Sequence, residues 1–326
     1  MKPLKEHILE GILDIENNIN YDISKDVIEE FLKENYNIKG AHTIKKTKDG
    51  FVVDVKGNAE VKNKNIISLT NGLFELGVVS REFNCNYCES LTSLEGAPEK
   101  VYGNFSCTAC NSLTSLEGAP EKVGGYFNCF HCDSLTTLEG APKEVSGYFN
   151  CSYCTSLTSL EGAPEKVGGD FICSHCNSLT SLEGAPEKVD GNFSCTACNS
   201  LTSLEGAPEK AGGHFNCSYC YSLKSLEGAP KEVGWDFDCS YCYSLKSLEG
   251  SPKEVSKDFN CYYCRSLTSL KGAPKKVGGC FDCRYCDNLK SLEGAPKKVG
   301  KTFWSIGNKF SIEDIKKVVK VKRISV

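Results

Sequence analysis

The stretch Phe149-Asn150-Cys151-Ser152-Tyr153-Cys154-Thr155-Ser156-Leu157-Thr158-Ser159-Leu160-Glu161-Gly162-Ala163-Pro164-Glu165-Lys166-Val167-Gly168-Gly169-Asp170 decides the fold, because the chain writes this pattern ten times over. Phe83, Phe105, Phe127, Phe149, Phe171, Phe193, Phe215, Phe237, Phe259 and Phe281 recur every 22 residues without a slip, and Phe303 continues the register. Ten of the eleven prolines fall at one phase, from Pro98 to Pro296. A period this short leaves no room for paired helices. It predicts a mainly-β repeat solenoid of ten 22-residue coils with one short strand per turn.

Each phase has a physical reading. Phe-x-Cys alternates inward and outward, as a half-buried strand does. The two leucines that follow, such as Leu91 and Leu94, return to the core on the opposite wall. Gly-Ala-Pro breaks the chain and turns it. Val101 and its equivalents then point inward before the next strand. Coils stacked at about 4.8 Å would build a rod or arc on the order of 50 Å long.

These residues carry a family resemblance. Phe237-Asp238-Cys239-Ser240-Tyr241-Cys242, followed by Leu245 and Leu248, resembles the leucine-rich repeat, with its strand and its asparagine-or-cysteine position. The Cys-x-Ser-Leu-x-Ser-Leu, Pro, Val, Phe order is similar to cysteine-bearing repeats of some bacterial surface proteins. Comparable Ser-Leu-Glu-Gly-Ala-Pro arrays occur in proteins of gut bacteria and their phages. The resemblance covers residues 83–302. It implies a binding scaffold, a fold that hosts many partners. Phenylalanine and cysteine stand where that family has strand leucines, which leaves the curvature of the coils open.

The flanks are expected to be caps. Residues 1–40 read as helices: Leu4, Ile8, Ile12 and Ile15 form one stripe, and Ser24 caps a second helix carrying Val27, Ile28, Phe31 and Leu32. Residues 41–82 read as a hairpin, alternating from Thr43 to Val61 around Lys48-Asp49-Gly50, and then a degenerate coil with Leu69 and Val79 one period before Leu91 and Val101. Residues 303–326 read as a helical cap, with Ser311 at its N-terminus and Ile312, Ile315, Val318 and Val319 closing the core. The opening Lys-Pro-Leu-Lys-Glu-His-Ile-Leu-Glu-Gly is similar to short capsid-targeting helices on internal proteins of tailed phages. That likeness implies a virion component; a helix covering the solenoid end is the competing reading.

Twenty of the 21 cysteines form ten Cys-x-x-Cys pairs. Adjacent pairs such as Cys85, Cys88, Cys107 and Cys110 have zinc-module spacing, so a zinc-stabilised repeat is one reading. Buried thiol ladders are the other, because both cysteines fall at core phases and free cysteine is a small hydrophobe. Asn308, one period after Cys286, favours the thiol ladder, since asparagine is a poor zinc ligand. No cofactor is expected on that reading. Cys280 stands outside the repeat phase and is expected at the surface.

The residue before the second cysteine forms a second constellation, expected to face away from the core by strand alternation. Its longest aromatic run is Tyr219, Tyr241, Tyr263 and Tyr285, flanked by a polar strip that includes Asp238 and Asn260. Stacked tyrosines on an exposed sheet are suited to a protein interface; a self-supporting ring ladder is the alternative. Catalysis has little support. There are only five histidines, of which His131, His175 and His214 are substitutions within variable repeat phases, and no Ser-His-Asp set, phosphate loop or His-Glu-x-x-His occurs. A net charge of -4 disfavours a nucleic-acid groove, although Lys275, Lys276, Lys297, Lys298, Lys316, Lys317, Lys320, Lys322 and Arg323 make the last coils basic enough to dock an acidic partner. The sequence holds no stretch of the roughly 18 apolar residues a membrane span needs. The expectation is therefore a non-catalytic interaction solenoid in the cytoplasm of a host cell, or associated with a virion, binding an unidentified protein and neither nucleic acid nor membrane.

Overall fold

The computed structural model describes residues 25–70, 72 and 74–326, so the Leu4–Ile15 stripe and the Ser24 cap lie outside the described residues. The chain forms a mainly-β parallel solenoid. Coil 1 spans residues 83–104 and coil 10 spans residues 281–302. Coils 1–9 each carry two strands of two residues, not one: Phe149-Asn150 and Lys166-Val167 in coil 4, for example. Phe149 pairs in register with Phe127 and Phe171, and Val167 with Val145 and Val189. The Gly168-Gly169 step between Val167 and Phe171 bends the chain, so the Lys-Val pair forms a strand of its own ahead of the next Phe strand.

The core is built from columns. In each coil the phenylalanine, both cysteines and both leucines are buried, as is the valine, which coil 6 replaces with Ala211. The phenylalanine rings stack from Phe83 to Phe303 with centroids 4.9–5.4 Å apart. Truncating a ring buried this way costs about 3–5 kcal/mol. Backbone hydrogen bonds repeat from coil to coil: Phe149 N–H donates to Asp170 O (2.8 Å), Cys151 N–H to Ile172 O (2.8 Å) and Leu160 N–H to Glu183 O (2.9 Å). Gly162 is required twice over. Its φ is +83°, and a Cβ there would collide with the backbone of Glu139 in the preceding coil.

The ends close differently. Helix α1 (Lys25–Asn35) buries Ile28, Phe31 and Leu32. It leads into an antiparallel hairpin of β1 (Tyr36–Lys46) and β2 (Phe51–Val61), turned through Thr47–Gly50. The hairpin takes in residues 36–40, read above as helical. Pairing with β2 over eleven residues extends the strand through a segment whose own sequence does not alternate. β2 then serves as a template: Val53 pairs with Leu76 of β3 (Glu75–Val79), and Ala59 pairs with Phe83 of coil 1. At the far end the strand Lys298–Trp304 spans both ladders and is capped by a last strand, Lys320–Ser325, which the sequence did not announce. Helix α2 (Ile312–Val318) lies between them. Its capping box forms as expected: Asp314 N–H donates to Ser311 Oγ, and the Asp314 carboxylate accepts from Ser311 N–H. Ile315 and Val319 close the core, whereas Ile312 and Val318 are exposed. The helix is too short to bury a second face. Among the described residues, no helix is long and apolar enough to cross a membrane.

Candidate interaction surface

The tyrosine phase does not lie on a strand. The strand ends after two residues, and the residue before the second cysteine adopts a left-handed turn in every coil, at φ between 53° and 62°. The sequence builds this turn locally. In coil 4, Asn150 Oδ1 accepts from Ser152 N–H (2.9 Å), which tightens the chain two residues on, and Tyr153 N–H donates to Ser174 O of the next coil (2.9 Å). The same bond from the residue after phenylalanine recurs at Asn84, Asn128, Asn216, Asp238, Asn260 and Asp282. The left-handed residue projects its side chain outward. The outward direction expected of the strip is thus correct, but a turn produces it and not strand alternation.

Coils 7–10 carry the densest aromatic surface. Tyr219 and Tyr241 stack at 4.4 Å, Tyr241 and Tyr263 lie at 5.4 Å, and Tyr263 meets Tyr285 edge-on at 5.9 Å. Tyr219 and Tyr285 are 38% and 37% exposed, and their neighbours are half-buried by the rings around them. A second column runs beside this one: Tyr221 stacks on Tyr243 at 5.0 Å, and the Arg265 guanidinium then lies 4.3 Å from the Tyr263 ring and 5.8 Å from Tyr243. Tyr262 bridges Tyr241 and Tyr285, and Arg284 sits between Tyr262 and Trp304 at 5.2 and 5.0 Å. Asp282 holds Arg284 in place with contacts of 2.6–3.0 Å. The signal for Tyr221 and Tyr243 was present in the sequence as aromatics at one phase in adjacent coils, just after the second cysteine.

Asp238 and Asn260 take a different part from the one expected. Their side chains are spent on the turn: Asp238 Oδ1 accepts from Ser240 N–H (2.8 Å), Asn260 Oδ1 accepts from Tyr262 N–H (3.0 Å), and Asn260 Nδ2 donates to Asp238 Oδ2 (3.2 Å). Burial pushes the Asp238 carboxyl up, against hydrogen bonds from Ser240 and Asn260 that lower it. These bonds hold the turns that carry the tyrosines beside them.

Cys85, Cys88, Cys107 and Cys110 are all buried. In coils 2–10 the second thiol donates to the carbonyl of the first cysteine in the preceding coil: Cys110 Sγ to Cys85 O (3.1 Å), Cys154 Sγ to Cys129 O (3.3 Å), Cys286 Sγ to Cys261 O (3.2 Å). Asn308 fills the same slot with its Nδ2, 2.7 Å from Cys283 O. Burial, then hydrogen bonding to a neighbouring thiol, pushes the Cys129, Cys151, Cys239 and Cys261 thiols well up. Among the described residues, no three Cys, His, Asp or Glu side chains converge as a metal-binding group. Cys280 is half-buried, unlike the other twenty.

The opposite wall is polar. Lys122 and Lys166 both reach Glu144 at 2.9 Å and hold its carboxyl at about 2. A surface depression opens there, lined by Pro98, Lys100, Tyr102, Pro120 and Lys122, with Tyr102 66% exposed. No family model matches the chain, and neither a curated protein nor a solved structure matches it.

Proposed function

We propose that this chain is a non-catalytic interaction module, leucine-rich-repeat-like in its coil, that binds a protein partner through the tyrosine strip of coils 7–10. The observation that carries the reading is the backbone beneath the strip. An L-residue in the left-handed region costs roughly 1–2 kcal/mol, and glycine would relieve it. Yet Tyr87, His131, Tyr153, His175, Tyr219, Tyr241, Tyr263 and Tyr285 occupy that region, and the tyrosine run of coils 7–10 is unbroken, whereas Ala109 and Ala197 hold the same conformation without a ring in earlier coils. An unfavourable conformation retained for the sake of an outward aromatic ring is explained by what the ring touches. Tyrosine suits an interface because it presents much rigid area and a hydroxyl at low entropic cost.

The test is to capture a partner from native host extract and compare the parent protein with Tyr241→Ala and Tyr263→Ala. A central interface tyrosine costs more than about 1 kcal/mol of binding when truncated, so each variant should bind at least about fivefold more weakly. Their melting temperatures should hardly fall, because alanine relieves no more strain than tyrosine and loses only ring stacking. Normal binding combined with earlier melting would make the strip a structural ladder and move the search to the depression near Tyr102.

A further inference from the structure

Charge is divided along the solenoid. Residues 83–250 carry 9 Lys and Arg against 21 Asp and Glu, whereas residues 251–326 carry 17 against 7. The division is local in detail. On the wall of the Lys-Val strands, the charges of earlier coils neutralise one another from coil to coil: Glu144 between Lys122 and Lys166, Lys210 with Glu232, Lys231 with Glu209, Lys276 with Glu254. At the end of the ladder this stops. Lys298 pairs in register with Lys276 and with Lys320, and Lys297 N–H donates to Lys275 O, so two lysine columns stand side by side. Among the described residues, Lys253, Lys275, Lys297, Lys298 and Lys320 make no ion pair, and all are exposed. Like charges held at strand spacing repel, and beyond the Lys276–Glu254 pair these columns make no ion pair among the described residues.

The matching surface is in the same chain. The glutamates of the Leu-Glu-Gly turns form an exposed row from Glu95 to Glu249, aligned by bonds such as Leu116 N–H to Glu139 O and Leu160 N–H to Glu183 O. Glu117, Glu139, Glu161, Glu183 and Glu205 make no ion pair among the described residues. Both rows repeat at the strand spacing of about 4.8 Å, so their charges can align over several coils. The two rows stand at different phases of the coil, the glutamates in the Leu-Glu-Gly turns and the lysines on the wall of the Lys-Val strands.

We propose that the lysine columns of coils 9 and 10, with Lys320, dock on the glutamate row of a second copy of this chain. Each copy contributes a different surface to the contact. The association is therefore heterologous and can continue beyond a dimer. It is independent of the tyrosine strip.

The experiment is sedimentation velocity of the full chain over a range of protein concentrations, in about 20 mM and about 500 mM NaCl, between which the screening length shrinks from roughly 20 Å to roughly 4 Å. The parent protein should associate at low salt and return to monomer at high salt. Lys275→Glu/Lys297→Glu/Lys298→Glu and, separately, Glu139→Lys/Glu161→Lys/Glu183→Lys should each be monomeric alone. An equimolar mixture of the two should associate again, because the reversed charges match across the contact. The corresponding Lys→Gln and Glu→Gln triples, checked by circular dichroism, weaken association at least tenfold and cover the case in which a reversed variant folds poorly. Tyr241→Ala should leave self-association unchanged, which separates this contact from the partner-binding strip. A parent protein that is monomeric at low salt overturns the proposal. So does a mixture that stays monomeric, or a parent protein that binds a single-stranded oligonucleotide through these lysines and never itself.

Discussion

At Ala109, φ is +55°, and the residue occupies the slot that tyrosine or histidine fills in eight other coils. It bears the same backbone strain with no ring to show for it. Ala109→Gly should therefore stabilise the protein, by about 0.5–1 kcal/mol once glycine's greater freedom in the unfolded chain is subtracted. Gly162→Ala should do the reverse by about 2 kcal/mol or more, because a methyl group there meets both a left-handed φ and the Glu139 backbone. Urea midpoints at unchanged m-value check both. Equal destabilisation by the two changes would show that the turn is not strained as described. Neither outcome could be read from one repeat alone, since Tyr-Cys and Ala-Cys look equally compatible with a strand until the strand is seen to end after two residues.

Columns, not coils, are the elements of this fold. A thiol column works because each sulfur is small enough for the core and still donates to a backbone carbonyl of the preceding coil. Its cost is sensitivity to alkali. Cys129, Cys151, Cys239 and Cys261 have folded-state pKa values raised above the ordinary thiol value near 8.5. A proton is thus held more tightly in the folded state. That stability is fully present below pH 8.5 and is lost as pH rises above it, by up to about 1.4 kcal/mol per pH unit for each such thiol. Native protein treated with a bulky alkylating reagent at pH 7 should be labelled first at Cys280, with the buried twenty reacting only as the chain unfolds above about pH 9. Early labelling of Cys151 or Cys195 would mean that the thiol columns are open to solvent. The burial phases of these cysteines were legible from the 22-residue period, and so was the kinship of Asn308 with Cys286.

A solenoid has two open ends, and their closure belongs to the whole molecule. β2 and the pair Lys298–Trp304 and Lys320–Ser325 each span both ladders, so the sheet is widest where no further coil follows. Removing residues 309–326 strips the last strand from Phe303 and Trp304 and takes Ile315 and Val319 off the core. The truncated protein should show red-shifted tryptophan emission and a lower, broader thermal transition, because coils unfold from an uncapped end in a repeat array. A transition as sharp and as high as that of the full chain would show that coil 10 caps itself. The helix start at Ser311 was visible as a capping sequence. The closing strand was not, because Lys320-Val321-Lys322-Arg323 is too charged to read as a strand until Lys298–Trp304 offers it a partner.

The sequence alone determined the period and the core columns, since an unbroken 22-residue repeat of Phe, Cys, Leu, Pro and Val leaves one way to bury them: stacking in register. Tertiary structure decided how each coil is cut. Whether the Gly-Gly step bends the strand, and whether the residue before the second cysteine turns left-handed, depends on hydrogen bonds to the coils above and below, which no single repeat contains. It also decided that Asp238 and Asn260 serve the turn, that Tyr221, Tyr243, Arg265 and Arg284 join the tyrosines, and that the terminal lysines stand unneutralised. Each of these follows from which residue sits one coil away, 22 positions distant in the chain and about 4.8 Å distant in space.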